Sequence, residues 1–239
     1  MLKLYLIRHG ECEMNLDLAS KVGGRSNSSP LTPLGEKQAR ALGRHLARHL
    51  ASSDQHHQTL PIFSSTAVRA YDTARLMAHE LACTINSNST ATHQITATDQ
   101  LLEQDMGEWQ GALRRDVYTP QQLKIIEADT HNFRAPGGES QRDVEERMMA
   151  FITCEVLPAA AASPLKLAIV VGHGMAFKCV LRHLLNSDAR MSRKIAIGNT
   201  AVTEMGWVPS GGEGGGARVG QQAGWHILRV NDMAHLNQT

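Results

Sequence analysis

Leu2-Lys3-Leu4-Tyr5-Leu6-Ile7, followed at once by Arg8-His9-Gly10-Glu11, is the stretch that decides the fold. The apolar run reads as a strand, and it ends by presenting an arginine and a histidine together. In open α/β sheets the carboxyl ends of strands are where ligands are bound. Two later stretches have the same form. Phe63-Ser64-Ser65 closes a short apolar run and leads to Arg69, with Tyr71-Asp72-Thr73-Ala74-Arg75 continuing as the first turns of a helix. Leu167 to Val171 is a β-branched run of the fully buried kind and ends in Gly172-His173-Gly174. Between them lies the acidic loop Leu102-Glu103-Gln104-Asp105-Met106-Gly107-Glu108-Trp109-Gln110-Gly111, whose glycines permit unusual backbone angles.

Helices are predicted between these strands. Thr32-Pro33 is a strong start, since the hydroxyl satisfies an early amide and proline needs no donor there. The helix should run to about Ala51 with Leu34, Ala39, Leu42, Leu46 and Leu50 on its apolar face. Further helices are expected over Ala67–Leu81, Arg142–Leu157 (begun by Ser140) and Met175–Leu185, the last with its amino end, which favours anions, toward the pocket. Strands alternating with helices imply a three-layer α/β/α sandwich with a largely parallel sheet. Thr200–Val208 and Trp225–Val230 read as an antiparallel pair at its edge, joined by a glycine-rich loop at 209–224 expected to be mobile. No linker divides the 239 residues, so 1–239 is expected to form one domain. Residues 113–135 are an insertion placed to cap the pocket, with a plain surface helix as the alternative.

Composition excludes several classes. Net charge is +1 without a basic run, so nucleic acid is not an expected partner. Cys12, Cys83, Cys154 and Cys179 lack metal-type spacing and suit a reduced interior. No leader is expected before the first strand, and Leu157–Val171 is interrupted by Pro158, Pro164 and Lys166, so a cytoplasmic protein without a membrane span is expected. A dimer through an edge strand or exposed helix stays open. His45 and His49, four apart, are expected on a solvated helix face rather than at a metal, and His56-His57 in a polar turn.

In order and spacing the chain resembles the histidine phosphatase superfamily, which includes the cofactor-dependent phosphoglycerate mutases. The resemblance rests on Arg8-His9-Gly10-Glu11 with Asn15, Pro30-Leu31-Thr32 with Gly35, and Ser64-Ser65 with Arg69 and Thr73-Ala74. It continues through Glu103 with Gly107 and Gly111, Pro136-Gly137-Gly138-Glu139-Ser140, Gly172-His173-Gly174, Gly198-Asn199-Thr200, and Asn231-Asp232 with His235-Leu236.

The resemblance implies a metal-independent phosphomonoesterase needing no cofactor and acting on a small phosphorylated substrate, a phosphoprotein included. His9 would be the nucleophile that carries a phosphoryl group, and Glu103 the proton donor. His173, Arg8 and Arg69 would bind phosphoryl oxygens, with Asn15 and the Gly174 amide as further donors. Glu108 competes with Glu103, which is preferred for its spacing to Gly107; Glu11 is expected to fix the Arg8-His9 loop. Arg25 is expected to contact substrate, Trp109 to line the entrance, and Arg114 or Arg115 to hold a second anionic group. A mutase is the alternative, but the mutases' Gly-Trp-Tyr-Asp stretch is replaced by Gly23-Gly24-Arg25-Ser26-Asn27-Ser28-Ser29 and their Arg-His-Tyr by Gln104-Asp105-Met106, favouring the phosphatase branch. A binding protein without turnover is the third reading, opposed by the intact set Arg8, His9, Arg69, Glu103 and His173.

Overall fold

In the computed structural model, which describes residues 1–50, 60–85, 93–210 and 222–238, four strands run parallel. They are β1 (Leu2–Arg8), β2 (Ile62–Ser65), β3 (Ile95–Thr98) and β4 (Leu167–Gly172). β5 (Val202–Val208) and β6 (Gly224–Asp232) add an antiparallel edge, giving the spatial order β3-β2-β4-β1-β5-β6. The helices are α1 (Glu13–Asp17), α2 (Pro33–Leu50), α3 (Val68–Ile85), α4 (Arg114–Val117), α5 (Pro120–Ala128), α6 (Gln141–Phe151), α7 (Leu157–Ala162) and α8 (Gly174–Leu184).

Two apolar clusters flank the sheet and make it three-layered. Leu167, Ile169 and Val171 of β4 pack with Leu42 and Leu46 of α2 and Met77 and Leu81 of α3. The alternate residues Ala168 and Val170 face the other way, toward Val144 and Met148 of α6 and Phe177 and Val180 of α8. Every residue of β4 is therefore buried, as a strand covered on both faces must be.

Several boundaries differ from expectation for identifiable reasons. β3 is not evident in the sequence because Ile95-Thr96-Ala97-Thr98 is a short, half-exposed edge without an apolar run. The helix predicted to stop at Leu157 continues: a π turn over Ile152–Val156 precedes Pro158, whose missing amide it accommodates, and α7 follows. α2 begins as predicted, with the Gly35 N–H donating to Thr32 Oγ1 at 3.1 Å. Leu34 is nevertheless 51% exposed, one turn before the buried stripe begins. His45 is also not on a solvated face; it is buried and its ring lies 5.8 Å from that of His235, whereas His49 is exposed. His56-His57 and residues 211–221 of the glycine-rich connection lie outside the described residues. Among the described residues no helix is long and apolar enough to cross a membrane, and no group of three metal-ligating side chains is assembled.

Candidate active site

Sheet register brings the distant motifs to one edge. Arg8 is level with Gly172, and the His9 N–H donates to the Gly172 carbonyl at 2.9 Å, so His9 and His173 leave adjacent strands side by side. Their ring centroids are 5.2 Å apart. On the far side of β4, Ser64 is level with Val171, which puts the Ser65 hydroxyl 2.8 Å from His173 Nε2.

The protonation state of His9 follows from its neighbours. Nδ1 lies 2.7 Å from the Gly10 carbonyl, an oxygen that only accepts, so Nδ1 carries the hydrogen. Burial, and then the charges of Arg8 and Arg69, hold its pKa well below the ordinary histidine value. His9 is thus neutral, with its lone pair on Nε2. The loop that carries it is tied from both sides. The Gly10 N–H donates to Thr73 Oγ1 at 2.9 Å, and that hydroxyl donates to the Arg69 carbonyl at 2.6 Å, locking the loop to α3. The Thr200 amide donates to the Arg8 and His9 carbonyls at 3.0 and 3.3 Å, and Asn199 Nδ2 donates to the His9 carbonyl at 3.0 Å. Glu11 accepts from Thr32 Oγ1 at 2.8 Å, which anchors the loop to the start of α2 as anticipated.

Arg8 is half-buried and Arg69 buried, and Arg8 has hydrogen-bonding capacity to spare. Arg8 Nη1 donates to the Ile197 carbonyl at 2.7 Å, while its Nε is buried without a partner among the described residues. Arg69 is 2% exposed, and its Nη atoms donate to the carbonyls of Ser26 and Gly24. Burial lowers the pKa of both guanidiniums, a sign of charge held without full compensation. His173 is wholly buried, its Nδ1 likewise lacks a partner, and burial followed by Arg69 and His9 keeps it neutral. Such orphaned polar groups call for a missing partner, and an oxyanion fits them.

Glu103 closes the opposite side. Its Oε1 accepts from the Ala176 amide at 2.9 Å and its Oε2 from the Met175 amide at 3.0 Å, so the carboxylate sits on the amino end of α8. Its backbone carbonyl accepts from Arg147 Nη2 at 3.2 Å, and Arg147 Nε donates to Glu139 at 3.0 Å. The turn beyond Glu103 requires glycine: Gly107 has φ +49°, and a Cβ there would stand 2.0 Å from the Pro136 carbonyl.

A cavity of about 370 Å³ is lined by Arg8, His9, Asn15, Arg69, Glu103 and Gly174 together. His173, wholly buried with its ring 5.2 Å from that of His9, is not among the lining residues. Asn15 presents Oδ1 to the Cys12 amide at 3.0 Å and to Asn199 Nδ2 at 3.1 Å. Three expected residues go elsewhere. Arg25 is drawn aside by Glu139, to which its Nη2 donates at 2.6 Å. Trp109 does not line the entrance; it is buried against Tyr118 and Phe133 in a small core of its own. Arg115 is exposed and belongs to an adjoining groove, whereas Arg114 does line the cavity. Glu108 is exposed outside it. Lys178, unnoticed in the sequence, also lines the cavity; its position four residues after Gly174 on one helix face was the signal. A second cavity, of about 500 Å³, shares no lining residue with the first, and its Arg182 and His183 already pair with Glu145.

Comparison with known proteins agrees with this geometry. The chain is 28% identical over 246 residues to the probable phosphoglycerate mutase GpmB of Salmonella paratyphi C, covering 99% of this chain and 96% of that one. Its fold matches mycobacterial glucosyl-3-phosphoglycerate phosphatase at TM-score 0.70 and 23% identity, covering 96% and 98% of the two chains. It also matches Entamoeba histolytica phosphoserine phosphatase, solved with 3-phosphoglyceric acid, at TM-score 0.72 and 22% identity, covering 99% and 100%. Residues 4–214 match the histidine phosphatase superfamily (branch 1), and the chain therefore belongs to that superfamily.

Proposed function

We propose that this chain is a phosphomonoesterase that works through a phosphohistidine on His9 and needs no metal. The observation that carries the reading is the neutral His9, with Nδ1 committed to the Gly10 carbonyl, in a cavity walled by Arg8 and Arg69. Nε2 attacks phosphorus as the ester P–O bond breaks, and a proton from Glu103 leaves with the alcohol. Arg8 Nε, His173 Nδ1 and the Arg69 guanidinium take the charge that builds on the phosphoryl oxygens, with Asn15 and the Gly174 amide beside them. Glu103, now a carboxylate, takes a proton from water; the oxygen attacks phosphorus, the P–N bond breaks, and inorganic phosphate leaves. Each carboxyl oxygen of Glu103 accepts one α8 amide, which leaves a second lone pair free to carry the first proton. We further read 1–239 as one domain and 113–135 as the cap, since Arg114 and Tyr118 of that segment line the cavity. The substrate is accordingly small.

The relative's name supports a second reading, a mutase, in which phosphohistidine passes to another alcohol. One assay separates them: phosphate release from a panel of phosphomonoesters in EDTA, including 3-phosphoglycerate with a bisphosphoglycerate primer, using wild type and His9→Ala. Release by wild type and its loss by on the order of a thousandfold or more in His9→Ala is expected. Isomerisation of 3-phosphoglycerate without net release would establish the mutase, and an obligatory metal would overturn the charge assignment.

A further inference from the structure

The two buried histidines of the site are both neutral, yet they have opposite tasks. A neutral imidazole carries one ring hydrogen and one lone pair, so its role is set by which nitrogen holds which. For His9 the Gly10 carbonyl decides, taking the Nδ1 hydrogen and leaving the lone pair on Nε2. No carbonyl accepts from the His173 ring among the described residues. Its Nε2 lies 2.8 Å from the hydroxyl of Ser65, and its Nδ1 is buried without a partner.

A hydroxyl both donates and accepts, so the direction of that bond has to come from the other contacts of Ser65. This residue ends β2 and is wholly buried, and the β2–β4 register, with Ser64 level with Val171, holds it beside His173. Its Oγ already accepts from the Ala67 amide at 3.3 Å, just before α3 begins. Among the described residues the only acceptor for its single hydrogen is His173 Nε2. Were Nε2 to carry the ring hydrogen, Oγ would accept twice and its own hydrogen would be buried unpaired. Nδ1 would then offer a lone pair, which repels an anion. With the hydroxyl donating, the Ser65 hydrogen and the Nε2 lone pair satisfy each other, and the ring hydrogen is left on Nδ1. Burial, and then Arg69 and His9, hold His173 neutral, so no second ring proton competes.

We propose that Ser65 is a positioning residue whose hydroxyl donates to Nε2 of His173 and so sets the ring hydrogen on Nδ1. The two histidines thereby share one tautomer, fixed by contacts at opposite ends of the ring. The Gly10 carbonyl on Nδ1 leaves His9 a lone pair at Nε2; the Ser65 hydroxyl on Nε2 leaves His173 an N–H at Nδ1. One ring presents electrons and the other a hydrogen, with centroids 5.2 Å apart. The tautomer stands on geometry, while its consequence, a neutral donor for a phosphoryl oxygen, rests on the phosphatase reading.

The test reads the tautomer of His173 by heteronuclear NMR at neutral pH on protein carrying isotope-labelled histidine, with His173→Asn to assign the signals. Wild type is expected to show the hydrogen on Nδ1 and an unprotonated Nε2. A hydrogen on Nε2, or on both nitrogens, overturns the proposal, and the wild-type spectrum decides this without any variant. Ser65→Ala should give a mixture of tautomers. Its kcat should fall by about ten- to a hundredfold on p-nitrophenyl and alkyl phosphates alike, the worth of one hydrogen bond to a charged group. Ser65→Thr, which keeps the hydroxyl, should recover the tautomer and most of the rate. A Ser65→Ala enzyme that slows while His173 keeps its hydrogen on Nδ1 would make Ser65 a packing residue only and overturn the proposal. A wild type with the expected tautomer that releases phosphate from no monoester would uphold the Ser65 contact and overturn the phosphatase reading instead.

Discussion

The floor of the cavity and its outer wall are built by different means. On the floor, His9 and His173 each directly follow a parallel strand and Ser65, which meets His173, ends another, so ladder register fixes their relative height before any side chain is placed. The outer wall has no such frame. Glu103 is held by amides of α8 and by Arg147, Arg147 by Glu139, and Glu139 also by Arg25, a relay of side chains on loops and on α6. Beyond it, Arg114 and Tyr118 rest on the small core of Val22, Trp109, Ile126 and Ala135. Backbone register makes the floor suited to the step common to every phosphomonoester; a side-chain relay lets the wall vary with the leaving group.

The largest expected effect is on the floor. Arg69→Ala removes a buried guanidinium that lines the cavity and braces the carbonyls of Ser26 and Gly24. Its kcat/KM should fall by on the order of 10³ for aryl and alkyl phosphates alike. A loss under about tenfold would mean that phosphoryl oxygens are not bound on this floor.

On the wall the effect should depend on the leaving group. Glu103→Gln cannot donate a proton, so hydrolysis of an alkyl phosphate should slow by about 10²-fold or more, while p-nitrophenyl phosphate, whose leaving group needs no proton, should slow far less. Equal losses on both would demote Glu103 to a structural cap of α8.

A smaller effect is expected where the edge of the sheet supports the floor. Thr200, at φ +55°, is a β-branched residue in the left-handed region, and its hydroxyl, which donates to the Asn199 carbonyl at 2.7 Å, is met by His235 Nε2 at 2.8 Å. Its amide in turn holds the Arg8 and His9 carbonyls. His235→Ala should lower kcat several-fold with little change in KM, and His235→Gln, which retains a donor, should recover part of it. A KM effect without a kcat effect would detach the tail from the nucleophile loop.

The same division governs what was legible in the sequence. The floor could be read because an apolar run directly precedes His9 and His173, and a buried strand announces its own end. Glu103 was legible through the resemblance, whose pattern sets it four residues before Gly107. Arg25 and Trp109 were misplaced because nothing local shows that Glu139 will draw an arginine aside or that Tyr118 and Phe133 will enclose an indole. β3 was invisible for want of apolar contrast, and the helix through Pro158 because the π turn that admits proline has no sequence signature. Lys178 was within reach through helical spacing alone.

Proton linkage offers a way to perturb the floor while leaving the wall intact. His9 and His173 are neutral in the fold, with burial the leading reason that their pKa values are depressed, and burial also pushes His235 down to about 4. In the unfolded chain each titrates near about 6.5. Between those values the unfolded state binds more protons, so stability is complete above about pH 7 and declines as pH falls through about 6.5. The wall has the same sign in a lower pH window. Burial alone would raise the Glu139 pKa, but the Arg147 hydrogen bond and charge outweigh it and hold the carboxyl below its ordinary range. Its contribution survives until pH falls below about 4.5, the range of an ordinary glutamate. Thermal unfolding between pH 8 and pH 5 should therefore show a midpoint that is level at first and then drops by a few degrees below about pH 6.5. His235→Gln should flatten that drop, since one of the depressed histidines is gone. A midpoint that stays level down to about pH 4.5 would show that the floor histidines accept protons without loss of the fold, and would transfer the acid sensitivity to the carboxylates of the wall.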